Sequence, residues 1–270
     1  MTTSFGIDMG GYSGGNTVVA VGTRERNGVA HVRVFKRQTL ATKLAGKDLI
    51  QNQIDAEAAA IENYLKFGPV FVDVPIDLQA LPAPKNAQYL WQLTKRPVDY
   101  AFDGLPPLAD RIGATTARFR ALANRLDSAE FVFETYPAAS LKISDLSSTG
   151  YKRQSCVVGD SGTWHGGQKI ASLANALELR GETGTEIDDH IIDAAICALC
   201  GLVEPAARLD GSLLAEEMAR RLKSRGVAEH HISGMPPAAR YVLVRLPAAF
   251  EVRIEVVHGL AATEHIVGGL

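Results

Sequence analysis

The stretch Glu186–Val203, EIDDHIIDAAICALCGLV, combines an apolar helical pattern with three acids. Ile187, Ile191, Ala194, Ala195, Ala198 and Leu202 recur at helical spacing, which predicts a buried helix with Asp188, Asp189 and Asp193 in its first two turns. Thr183 with Glu186 three residues on has a capping-box spacing, and Pro205 marks a stop. Residues four apart share a helix face, so Asp189 and Asp193 are expected to project together, with Asp188 at the edge. Solvated like charges at that spacing cost a helix only about 0.2–0.5 kcal/mol, whereas a carboxylate buried without a partner costs several kcal/mol. Two explanations compete. The acids sit on a solvated face near the positive end of the helix dipole, or they hold a divalent cation. Oxygen-only carboxylate clusters suit hard ions such as Mg2+ or Mn2+, and one helix supplies only one or two of the ligands. The second explanation therefore needs acids elsewhere in the chain.

They occur where apolar runs end. Phe5–Asp8 reads as a strand closing on Asp8; Gly10, Gly11, Gly14 and Gly15 then make a turn before a second strand at Thr17–Val21 and a third at His31–Phe35. Gly46–Phe67 has the spacing of an amphipathic helix. Val70–Val74, VFVDV, has the profile of a central strand buried on both faces, interrupted by Asp73. Ala109–Leu126 is again helical, with Arg111, Arg118 and Arg125 every seven residues. That stripe is either a solvated face or a track for a phosphate backbone. Glu130–Tyr136, EFVFETY, is a fifth strand carrying Glu134. A short helix from Ala138, a helix over Gln168–Leu179, a polar helix near Leu213–Arg225 and a terminal hairpin of Arg240–Leu246 with Phe250–Val257 complete the order.

The expected fold is α/β: a mixed five-stranded sheet, three antiparallel strands followed by parallel ones, with flanking helices. Residues 1–205 are expected to form this domain, with an insertion near 77–107, and residues 206–270 a C-terminal helix and hairpin packed on it. At 270 residues and 46% hydrophobic the chain can bury a large core. A net charge of -2 argues against a globally basic nucleic-acid binder, though not against a local basic face. The amino terminus lacks a basic segment followed by a long apolar one, and no span suits a membrane, so the expectation is a cytoplasmic protein. Three cysteines argue against a disulfide scaffold; Cys197 and Cys200 are expected to pack in the core. The oligomeric state is left open, a homodimer included.

The order of strands and acids is that of the ribonuclease H-like superfamily, in which strand four is placed beside strand one. GID at Gly6–Asp8, VDVPI at Val72–Ile76, FETYPAAS at Phe133–Ser140, GYK at Gly150–Lys152 and DDHIIDAAICAL at Asp188–Leu199 together resemble the predicted-nuclease family numbered 429 among domains of unknown function. The late helix also resembles that of RuvC-type resolvases. The resemblance implies phosphodiester hydrolysis with two divalent ions, Mg2+ or Mn2+, held by Asp8, Asp73, Asp189 and Asp193, with Asp188 able to substitute for a neighbour. Glu134 is then a further ligand or orients one, and Lys152 contacts a phosphate; the structural alternative for those two is a mutual ion pair. The substrate would be a nucleic acid or another phosphoester.

Two other classes remain. Asp8–Gly11 and CVVGDSGT at Cys156–Thr163 fit the two phosphate loops of the sugar-kinase and actin-like superfamily, which would make the chain an ATP-dependent small-molecule kinase. A non-catalytic binding domain of the same fold is the third.

Overall fold

The computed structural model describes residues 2–10, 17–35, 50–78, 94–109, 112–146, 150–160, 162–233, 240–246 and 252–257. In chain order the strands and helices are β1 (Thr2–Asp8), β2 (Val18–Arg24), β3 (Ala30–Phe35), α1 (Ile50–Leu65), β4 (Val70–Val72), α2 (Pro97–Phe102), α3 (Gly113–Ala123), β5 (Val132–Glu134), α4 (Pro137–Ile143) and β6 (Ser155–Val158). There follow β7 (Trp164–Gly166), α5 (Gln168–Ala176), β8 (Leu179–Arg180), β9 (Glu186–Asp188), α6 (Asp189–Leu199), β10 (Arg208–Leu209), α7 (Gly211–Ser224), α8 (Glu229–Ser233), β11 (Leu243–Val244) and β12 (Val252–Val257). No helix among the described residues is long and apolar enough to cross a membrane.

The main sheet has the order β5-β4-β1-β2-β3-β12-β8. β1, β2 and β3 form an antiparallel meander, β4 runs parallel to β1, and β5 runs parallel to β4. The five expected strands thus lie in the ribonuclease H-like arrangement. Two more extend it, with β12 parallel to β3 and β8 parallel to β12. The terminal hairpin does not form: β11 pairs with β10, while β12 joins β3. The physical reason is the edge of β3, where Ala30, Val32 and Val34 are buried and the backbone needs a partner that β12 supplies.

The sheet separates two apolar layers. On one side Phe5 and Ile7 of β1 and Val19 of β2 pack with Ile54 and Ile61 of α1 and with Phe119 and Leu122 of α3. On the other, Val18 and Ala20 of β2 and Val32 and Val34 of β3 pack with Ile191, Ala194, Ala195 and Ala198 of α6. Side chains alternate along a strand, so β1 sends Gly6 and Asp8 toward α6. The approach there is close: a Cβ on Gly6 would lie 2.2 Å from the Ala194 carbonyl oxygen and 2.3 Å from the Ala198 amide nitrogen, both helix backbone. Gly6→Ala is accordingly expected to push α6 off the sheet and to cost about 1–3 kcal/mol in urea unfolding, as overpacking does. An unchanged midpoint would show that the helix can shift freely.

The motif helix starts later than its sequence suggests. Glu186–Asp188 is β9, paired with β6, and α6 begins at Asp189 with Asp188 as its N-cap, the carboxylate accepting from the Ile191 amide at 3.1 Å. Asp188 replaces the Thr183–Glu186 capping box because the chain is still extended at Glu186. Cys197 and Cys200 are buried and unbridged, as expected of core residues. Several expectations lie outside the described residues: the glycines at 11, 14 and 15, residues 46–49 of the first helix, residues 79–93 of the 77–107 insertion, and Arg111.

Candidate metal centre

Three elements end at one place. Asp8 is the last residue of β1; Asp73 directly follows β4, its amide donating to the Ile7 carbonyl at 2.9 Å; Asp193 lies in the second turn of α6. Parallel pairing of β1 with β4 puts the two strand-end acids side by side, and the Gly6 contact sets α6 low enough to bring Asp193 over them. One carboxylate oxygen from each of Asp8, Asp73 and Asp193 lies within 4.8 Å of the others. Asp193 is 0% exposed.

Asp189 is not in this group. It is the first residue of α6, four residues or about 6 Å along the helix axis from Asp193. The residue that reaches back is His190, at the other same-face spacing, three before Asp193. Its Nδ1 lies 2.5 Å from Asp8 Oδ2. This bond, set against partial burial, raises the His190 imidazole to about 9. The D-H-I-I-D spacing puts both His190 and Asp189 on the face of Asp193, three and four residues before it.

The remaining partners of Asp193 come from the GYK loop. β6 pairs antiparallel with β9 with Ser155 opposite Asp188, which registers the loop just upstream of β6 against the start of α6. Gly150 turns the chain at φ 79°, Tyr151 is buried, and its hydroxyl donates to Asp193 Oδ1 at 2.8 Å. Lys152 Nζ donates to Asp193 Oδ2. Burial pushes the Asp193 carboxyl up to about 6 despite the pull of Lys152. Burial likewise holds Asp73 well above the carboxylate range, Lys152 opposing and Asp193 and Asp8 adding to the rise. Burial would lower the Lys152 ammonium, but Asp193, Tyr151, Asp73 and Asp8 overcome it and leave it well above its ordinary value.

Glu134 stands apart from the cluster. Its two oxygens are taken by Arg96, at 2.8 Å each, and one also accepts the Ile76 amide at 2.7 Å. Arg96 in turn binds Asp99 at 2.9 Å and the Asp77 carbonyl at 2.8 Å. The Glu134–Lys152 pair weighed above is thus replaced by two separate pairs, Glu134 with Arg96 and Lys152 with Asp193. Glu134 ties the chain after Asp73 to the first turn of α2.

Of the arginine stripe, Arg125 is exposed, as a solvated face would have it, and Arg118 is not. Arg118 is buried and grips Glu57 of α1 with two guanidinium nitrogens, and it also donates to the Gly10 carbonyl. Arg125 binds Asp55 and Gln51. Both tie α3 and the residues just after it to α1. The second glycine turn, Gly159–Thr163, closes the β6–β7 hairpin through the Gly159 amide and Thr163 carbonyl at 2.7 Å, in a three-stranded sheet of order β7-β6-β9. That small sheet is not the second lobe a kinase requires. Gly11, in the first turn, lies outside the described residues.

The donor set fits a hard divalent ion. All three ligand atoms are carboxylate oxygens, and two cationic side chains answer three carboxyl groups in a buried site. The raised Asp73 and Asp193 carboxyls follow first from burial, which disfavours their charged forms, and then from their acidic neighbours.

No family model matches the chain, and no curated protein matches it. Among solved structures, the Thermus thermophilus RuvC structure aligns with 84% of this chain and 98% of its own, at 12% identity and a TM-score of 0.33. At that distance the likeness bears on neither the site nor its chemistry. The ribonuclease H-like class rests on the sheet order, and the site on the three aspartates.

Proposed function

We propose that this chain is a divalent-metal-dependent phosphodiester hydrolase of nuclease type. The observation that carries the proposal is the convergence of Asp8, Asp73 and Asp193 from a strand end, the turn after a parallel strand and a packed helix. Asp8, Asp73 and Asp193 would hold Mg2+ or Mn2+, and a bound ion supplies charge neutralisation and Lewis acidity toward a phosphodiester. Tyr151 orients Asp193 through its hydroxyl. His190, charged at neutral pH by its bond to Asp8, places a second positive group at the half-exposed mouth, where it suits an anionic substrate. Asp189, one turn further out on the same helix, is assigned no ligand role here. The resemblance to the predicted-nuclease family adds nucleic acid as the substrate class, with other phosphoesters as the wider set.

The test is calorimetric titration of Mg2+ and Mn2+ into wild type, Asp8→Asn and Asp193→Asn, followed by a cleavage screen on single-stranded, duplex and branched nucleic acids with Mn2+. Wild type is expected to bind and cleave; both variants are expected to keep the fold by circular dichroism and lose binding and cleavage. Folded wild type that takes up no ion, with or without nucleic acid, would sink the proposal. Turnover of ATP with an acceptor would put the kinase in its place.

A further inference from the structure

Both oxygens of Asp193 are already engaged, and the two groups that engage them differ in kind. Tyr151, on Oδ1 at 2.8 Å, is fully buried and fixed by the β6–β9 register behind it. Lys152, on Oδ2, has a side chain 45% exposed, so its flexible stem can swing toward solvent without disturbing the Tyr151 anchor. Asp193 itself is 0% exposed, with one carboxylate oxygen within 4.8 Å of those of Asp8 and Asp73. An ion shared by Asp8, Asp73 and Asp193 would meet the Lys152 ammonium at the same carboxylate, and the half-exposed lysine is the partner free to yield.

Resting on the metal-site reading above, we propose that Lys152 is a tethered cation that occupies the carboxylate cluster in the metal-free protein and is displaced when a divalent ion enters. It is a positioning residue and a competitor for the ion, not a ligand. In the metal-free chain it offsets like-charge repulsion among the three acids. Its withdrawal leaves an ammonium on a free stem at the mouth of the site.

The experiment is a Mn2+ titration, followed by calorimetry and by thermal melting, of wild type, Lys152→Met, Lys152→Gln and Lys152→Arg. A charge-assisted hydrogen bond no longer has to be broken in the Met and Gln variants, so each is expected to bind Mn2+ about tenfold more tightly than wild type. Lys152→Arg, which keeps the cation, is expected to bind no more tightly than wild type. Without metal the Met and Gln variants should melt below wild type, and saturating Mn2+ should raise their melting temperature more than it raises that of wild type. If wild type binds Mn2+ and folded Lys152→Gln binds it equally or more weakly, the displacement is refuted while the metal site stands. If neither wild type nor the neutral variants bind, the metal-site reading falls and this inference with it.

Discussion

Arg96→Met is expected to destabilise the protein by about 3–5 kcal/mol at neutral pH, because it leaves two buried carboxylates without their cation. Arg96 binds both Asp99, on the first turn of α2, and Glu134, at the end of β5. All three side chains are nearly inaccessible to solvent. The loss should depend on pH in a defined direction. Burial already holds the Glu134 carboxyl above the ordinary glutamate range with Arg96 pulling the other way, and removing Arg96 leaves that upward push unopposed. A carboxyl raised in the folded state binds a proton that the unfolded state releases, so it lowers stability as pH rises past the unfolded value. Urea unfolding of wild type and variant at pH 5 and pH 7.5 should show the larger gap at pH 7.5. An equal gap at both would mean that Glu134 does not titrate with the loss of its partner.

Arg118→Met should cost a similar amount, about 3–5 kcal/mol, through Glu57, which is 0% exposed on α1. Arg118 also reaches the Gly10 carbonyl, two residues beyond Asp8, and lies 3.5 Å from the Thr17 hydroxyl, which accepts from the Gly10 amide at 3.2 Å. The substitution therefore loosens the chain leaving β1 as well as the contact between α1 and α3, and Mn2+ affinity should fall with stability. Pairing it with Glu57→Leu separates charge burial from packing. Two apolar residues in place of the ion pair should recover most of the loss, since what destabilises is a buried carboxylate that has lost the Arg118 guanidinium and not the absence of the pair. A double variant as unstable as the single one would place the cost in shape instead.

These two arginines also show where the sequence is silent. Asp8, Asp73 and Asp193 were legible because each interrupts or ends an apolar run, and an acid inside a run that must be buried advertises a missing partner. Glu57 and Arg118 sit in amphipathic helices, where a charged residue normally marks the solvated face, so nothing in the pattern distinguishes a buried pair from two exposed charges. Arg96 follows a stretch without periodicity, and its partners lie at Asp99, close by, and at Glu134, far off. The order of β1 to β5 was readable from run length and turn residues. The short strands β7, β8, β9 and β10 were not, because, unlike β4 and β5, they do not lie in a longer apolar run closed by proline; β9 in particular shares its residues with the apolar pattern of the helix that follows it. His190 was visible in the spacing and passed over, as three and four residues are equally good separations on one helix face and only the packed helix decides between them.

The two ends of the main sheet bear on how copies of this protein can meet. Beyond β5 the backbone of residues 240–242 closes the row, with the Glu134 amide donating to the Arg240 carbonyl at 2.7 Å and the Val242 amide to the Glu134 carbonyl at 2.9 Å. At the other end the outermost strand is β8, only Leu179–Arg180. Neither flank offers a run of vacant amides and carbonyls long enough to template another chain. Among the described residues, strand exchange and fibre-like stacking through the edges of this sheet are thereby discouraged.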